Sequence, residues 1–193
     1  GLETQVRGGK FIDQHGKKDT TIKSLLAKDC LFRINRDVRF AKDKSPYKTN
    51  MGASINKGGR KAENSAGYYF HLEPGGVFTG GGIWMPMPDE LKKVRQEIDY
   101  NFTDFKKIIA AKKFKTVYGE LSSNPEYKLS RVPKGYDPEN PAAEFLKLKS
   151  YIAMIKISDA DLSSKDLVKK TVAAFEALQP LIEFINEALR APE

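Results

Sequence analysis

Residues 33–48 gather six cations, two carboxylates and two aromatics into one short stretch: Arg33, Arg36, Arg39, Lys42, Lys44 and Lys48, with Asp37, Asp43, Phe40 and Tyr47 among them. Guanidinium groups hold phosphate or carboxylate oxygens in forked hydrogen bonds, and lysines add compact point charge. The chemistry open to this stretch is therefore recognition of an anion. Asp37 is the natural internal partner of one arginine. Such a pair can fix a second guanidinium for an external anion, or it can simply neutralise the cluster. A second set of reactive types lies at 67–73, Gly-Tyr-Tyr-Phe-His-Leu-Glu. Strand alternation puts Tyr68, Phe70 and Leu72 on one face and Tyr69, His71 and Glu73 on the other. A carboxylate that orients an imidazole can move protons, so Asp37, His71 and Glu73 are the acid–base candidates. The polar outer face of a half-buried sheet gives the same pattern without chemistry, and for His71 that plainer reading is preferred.

The charge is concentrated. Residues 33–61 carry nine Lys or Arg against two Asp, a net of +7 out of the chain's +8, which leaves the rest close to neutral. A local excess of this kind attracts phosphate, carboxylate or nucleic acid. Cys30 is the only cysteine, so an internal disulfide and a Cys-based zinc site are excluded. It reads as a small buried apolar residue. Two histidines far apart, His15 and His71, do not suggest a metal site. No cofactor motif is present: the glycine-rich loop at 56–61 lacks P-loop spacing. No run approaches a membrane span and no signal-peptide pattern opens the chain, so a cytoplasmic protein without membrane association is expected. The start at Gly1 reads as a trimmed N-terminus. At 193 residues the chain suits a single domain, 1–193, with a core large enough to need no metal or disulfide.

These residues must be positioned by regular elements. The opening residues read weakly, because Gly8 and Gly9 interrupt a potential helix at about 1 kcal/mol each. Residues 17–21 read as a loop and 24–27 as one helical turn. Strands are expected near 30–35, 47–55, 67–74, 77–85 and 151–157, the last central because it is apolar on both faces. The glycine run at 80–82 suggests a bulge or the close approach of another backbone, side chain or ligand, and Trp84 beside it could floor a pocket. A long helix is predicted over 88–111, with a bend near Asn101, from its apolar steps of three and four. Residues 112–136 read as irregular, with a short strand at 127–132. Pro133-Lys134-Gly135-Tyr136 is a rigid turn carrying a cation. A short helix follows at 141–147 and a turn at 158–161. A final helix spans 164–189, kinked or split by Pro180.

The motifs Arg33-x-x-Arg36-Asp37-x-Arg39-Phe40 and Asp43-Lys44-x-x-Tyr47 resemble the signature of the DUF2461 family of uncharacterised bacterial and fungal proteins. The resemblance continues through Gly67-Tyr68-Tyr69-x-His71-Leu72-Glu73-Pro74, Gly81-Gly82-x-Trp84-Met85-Pro86, Pro133-Lys134-Gly135-Tyr136 and Leu146-x-Leu148-Lys149. It covers the chain from about residue 20 onward. It implies a shortened or partly absent N-terminal helical segment, since the first residues match least. It implies no activity, cofactor or catalytic residue.

The expected architecture is α+β: one domain with a mostly antiparallel or mixed sheet covered on one face by long helices. Three functional readings follow. In the first, Arg33, Arg36, Arg39, Lys44, Tyr47, Trp84 and Lys134 form a site for a small phosphate- or carboxylate-bearing ligand. In the second, the Arg–Asp cluster is a structural network with no ligand role. In the third, basic residues interleaved with Phe40, Tyr47, Tyr68, Tyr69 and Trp84 bind nucleic acid by phosphate contact and stacking, although no RRM, KH or helix-turn-helix signature is present. Enzyme or binder, and oligomeric state, stay open at this point.

Overall fold

A computed structural model of the chain describes residues 2–32, 50–61 and 65–190. In chain order the elements are α1 (Leu2–His15), α2 (Ala27–Cys30), β1 (Met51–Ile55), β2 (Gly67–Leu72), β3 (Phe78–Ile83), α3 (Pro88–Tyr100), α4 (Phe102–Ala110), α5 (Lys112–Tyr118), α6 (Ala143–Leu146), β4 (Tyr151–Lys156), α7 (Asp159–Ser163) and α8 (Leu167–Arg190). The fold is α+β, with a four-stranded antiparallel sheet in the order β1-β2-β3-β4. Its described residues form two compact units. One comprises those up to 61, 68–80 and 155–175; the other comprises 65–67, 81–154 and 176–190.

The first unit is built on the inward face of β2. Tyr68 and Phe70 are buried because the strand's pleat sends alternate side chains to the same side. Tyr68 packs on Phe175 of α8 at 4.8 Å between ring centroids and meets His15 of α1 edge-on at 4.7 Å, while Phe70 packs on Phe11 at 5.3 Å. Burying an aromatic of this size contributes about 1.5–3 kcal/mol. That explains why α1 runs unbroken through Gly8 and Gly9, contrary to the sequence expectation: the stripe Phe11, Ile12 and His15 is fully buried, and its burial offsets the glycine cost. The Tyr68 hydroxyl donates to Asp19 Oδ2 at 2.7 Å, and Asp19 also accepts from Thr21 N (3.0 Å) and Thr21 Oγ1 (2.6 Å). This network makes the expected loop at 17–21 a capped 3₁₀ turn over Thr20–Ile22. Cys30 is buried at the end of α2, and burial, then the Asp29 charge, push its thiol up to about 11. It is the inert core residue its type suggests.

In the second unit, Val94 and Ile98 of α3 and Phe105 of α4 are completely buried. Phe105 meets Phe145 edge-on at 5.2 Å and Phe184 of α8 at 5.6 Å. The predicted bend at Asn101 is a break: its backbone leaves helical geometry at φ −116°, ψ 38°, while its side chain donates to Glu97 Oε1 at 2.7 Å. Three expectations fail here. Residues 112–118 are helical; α5 is too short for a periodic signal, but it buries Phe114. Residues 127–132 form no strand; Pro125–Tyr127 is a 3₁₀ turn, followed by an isolated bridge between Lys128 and Leu148. Finally, β4 ends the strand order instead of occupying its centre. Its outer edge is capped all the same: Ser122 N donates to Ile152 O at 2.9 Å, so the neighbouring loop pairs with it. Helix α8 is not split; it continues through Pro180.

Gly82 shows why β3 carries glycines. Its φ is +124°, and a Cβ there would lie 2.0 Å from Tyr151 O. The approach of another backbone, one of the expected causes, is thus realised.

Two outcomes are expected. Tyr68→Phe removes the donor to Asp19 Oδ2 and leaves only the two from Thr21 on Oδ1, which lowers stability by about 1.5–3 kcal/mol, read as a lower urea midpoint with an unchanged slope. Gly82→Ala forces backbone displacement between β3 and β4 and lowers stability by more than about 3 kcal/mol, read by thermal unfolding.

Candidate functional site

The outward face of β2 carries the candidate chemistry. Tyr69, His71 and Glu73 lie at alternate positions on this face and are joined in a line. The Tyr69 hydroxyl is 3.2 Å from His71 Nδ1, and His71 Nε2 is 3.2 Å from Glu73 Oε2. The imidazole side chain is 13% exposed and the carboxylate 43%, so the line runs from a shielded centre to a solvent-reachable end. A carboxylate accepts and cannot donate when ionised. In neutral His71 the proton therefore sits on Nε2, and Nδ1 accepts from the Tyr69 hydroxyl.

Neighbouring strands fix this line. Phe78 of β3 stacks on the imidazole at 4.4 Å and 16° between ring planes. Thr79 Oγ1 donates to Tyr69 O at 3.0 Å. Antiparallel register places Gly52 of β1 opposite His71 and Ser54 opposite Tyr69. A Cβ at Gly52 would lie 2.7 Å from the Tyr69 hydroxyl, so bare backbone at 52 is what lets the phenol lie where it does. Burial raises the Tyr69 pKa, which keeps the phenol protonated.

The root of the basic stretch is beside this face. Phe32 N donates to Gly52 O at 3.0 Å, Leu31 bridges Ala53, and the Phe32 ring lies 6.4 Å from that of Tyr69. The Arg60 guanidinium donates to Leu31 O. Arg33, Arg36, Asp37, Arg39, Lys44 and Tyr47 themselves lie outside the described residues, as does most of the strand expected near 30–35.

Trp84 and Lys134 belong to the second unit. Trp84 is 55% exposed, with its ring edge-on to Tyr127 at 4.7 Å. The next residue, Met85, has φ +42° and donates its N–H to Ser150 Oγ at 2.9 Å. Lys134 is exposed on the expected turn, which closes through Tyr136 N to Pro133 O at 3.3 Å. This unit also holds a cleft of about 190 Å³ floored by Phe145 and Leu148 and lined by Lys115, Lys128 and Glu144. Its charge is largely spent internally: Glu144 accepts from Lys128 at 2.8 Å and from Lys147 at 2.6 Å, and these two hydrogen bonds hold its carboxyl down to about 2. No sequence pattern points to this cleft, because Lys128 and Glu144 are brought together through the bridge between Lys128 and Leu148.

Among the described residues, no three His, Cys, Asp or Glu side chains are grouped to hold a metal, and no helix is long and apolar enough to cross a membrane.

Residues 8–184 match the family of conserved hypothetical proteins DUF2461. The chain belongs to the DUF2461 family. The match begins upstream of the point from which the sequence motifs were legible, and it takes in most of α1 as well as β2 and its outward face. No curated protein and no solved structure matches the chain.

Imidazole ¹⁵N spectra are expected to show His71 as the Nε2–H tautomer. Because the chain has two histidines, a His71→Gln variant assigns the resonances. Gly52→Ala should push the phenol aside and shift the Nδ1 resonance, while Nε2, bonded to Glu73, moves little.

Proposed function

We propose that this DUF2461 protein binds a small anion, phosphate- or carboxylate-bearing, where the basic stretch meets the outward face of β2. The observation that carries this reading is the pairing of Phe32 N with Gly52 O. It holds one flank of residues 33–48 beside Tyr69, and Asn50, on the other flank, leads directly into β1. Arg33, Arg36 and Arg39 supply forked donors and Lys44 point charge, while the polar line on β2 supplies a face to bind against. Two further features support a ligand. Bare backbone at Gly52 lets the Tyr69 hydroxyl sit on this face as a polar contact. The nine Lys or Arg over 33–61 also outnumber Asp37 and Asp43, so a net charge of +7 is left after those two are paired.

Sulfate tests this reading. At a hundred times its Kd, a ligand of the native state adds about 2.7 kcal/mol, a rise in Tm of about 5–10 °C for a chain this long. Sulfate also stabilises proteins by exclusion from their surfaces, so the readout is the difference from a variant. Arg36→Ala combined with Arg39→Ala should keep the ligand-free Tm within about 2 °C and lose the saturable part of the rise. Loss of the fold in that variant, or an undiminished rise, counts against the reading and favours a structural network.

A further inference from the structure

The Tyr69–His71–Glu73 line has one proton too few to bind an anion in its neutral form, and this fixes how it would respond to one. With His71 neutral, Nε2–H donates to Glu73 Oε2 and the Tyr69 hydroxyl donates to Nδ1, both at 3.2 Å. Every group is satisfied and no donor is left over. An anion only accepts. The Tyr69 hydroxyl has a single proton; to donate it outward it must release Nδ1, and the phenol oxygen must then accept from that nitrogen. Nδ1 can donate only if it carries a proton, and Nε2 still carries the one bonded to Glu73. The ring is then an imidazolium.

We propose that Tyr69 is the anion's hydrogen-bond donor on this face and that binding places a proton on His71, held there by Glu73. This deepens the anion-binding reading and rests on it. The charges agree with the hydrogen bonds. Neutral His71 beside Glu73 carries a net charge of −1, and the imidazolium brings the pair to zero. Among the described residues, the ionisable groups facing the imidazole are Tyr69 and Glu73 along β2; β1 sets Gly52 opposite it and β3 sets Phe78 against its ring. The geometry favours Tyr69 over His71 as the contact. The imidazole is covered by Phe78 and held at both nitrogens, whereas the Tyr69 hydroxyl, seated with the Phe32 ring in the space left by Gly52, is bonded among the described residues to His71 Nδ1 alone. Burial keeps the phenol protonated, so it retains the proton it must donate. Tyr69 is the binding residue, and His71 and Glu73 position and recharge it.

Sulfate is the suitable probe, because it stays dianionic while histidine changes charge between pH 5 and 8. The full chain is titrated with sulfate at about pH 5.5 and about pH 8.0, with imidazole ¹⁵N spectra recorded at saturation. Linked uptake of one proton weakens binding by up to about tenfold per pH unit, so Kd should be about tenfold or more higher at the upper pH. Both ring nitrogens of His71 should be protonated in the bound state. Tyr69→Phe, which keeps the ring packed on Phe32 and Phe78, should bind more weakly at the lower pH and lose most of the pH dependence. Glu73→Gln should leave the bound ring harder to protonate. Equal Kd at both pH values with a neutral bound ring overturns the relay and leaves anion binding standing. No saturable binding at either pH overturns both. Should Tyr69→Phe fail to fold, the pH dependence and ring spectra of the unmodified chain decide.

Discussion

The hydrogen bond from Tyr68 to Asp19 is the constraint on which the first unit depends. Asp19 is 5% exposed, and a carboxylate so placed is costly unless its oxygens are matched. Three donors match them, one from β2 and two from Thr21. The bond agrees with the strand's apolar alternation on which face of β2 turns inward: a slip of one residue would break it, bury Tyr69 and His71 and expose Tyr68 and Phe70. The inward side then takes the aromatic packing with Phe11, His15 and Phe175. The outward side is left with Tyr69, His71 and Glu73, so the same choice of face that makes the core also assembles the polar line.

Glycine has opposite uses on the neighbouring strands. At Gly82 the missing side chain lets the backbone of β4 approach, a purely structural demand. At Gly52 it makes room for a phenol hydroxyl on the outward face. The first is a packing requirement internal to the sheet; the second shapes a surface. A polar line joined by hydrogen bonds at both imidazole nitrogens is more ordered than a solvated strand face needs to be, and it lies where the chain departs toward its most basic residues. The other polar recess, around Glu144, shows the contrast. There a carboxylate already occupies its lysines, so their charge is balanced within the protein.

Membership of the DUF2461 family covers most of the chain and carries no chemistry with it. The function must therefore be argued from the site, as for any fold that can host unrelated activities. The motif by which the family is recognised overlaps the charge excess, and the described structure brings the root of that motif against the Tyr69 ring. A role in folding and a role in binding both require arginines near carboxylates. They differ in whether an external anion competes for them, which is a matter of affinity and not of sequence.

What the sequence determined by itself was periodic or compositional. The strand 67–73, the helix beginning at Pro88, the break at Asn101 and the burial of Cys30 were legible because alternation, helical spacing and residue type report local environment. So were the faces of β2, and hence which side chains could share a site. What only the tertiary structure decided depended on contacts distant in sequence. Helix α1 survives Gly8 and Gly9 because its stripe is buried against β2 and α8. Helix α5 is too short to announce itself and exists through the burial of Phe114. The two-sided hydrophobicity of β4 reports its faces and not its edges, so it does not tell a strand flanked by two others from one flanked by a strand and a loop. The entry of Tyr69 into a line with His71 and Glu73 needed Gly52 opposite, a residue on another strand. Local pattern fixes which way a side chain points; packing decides what it meets.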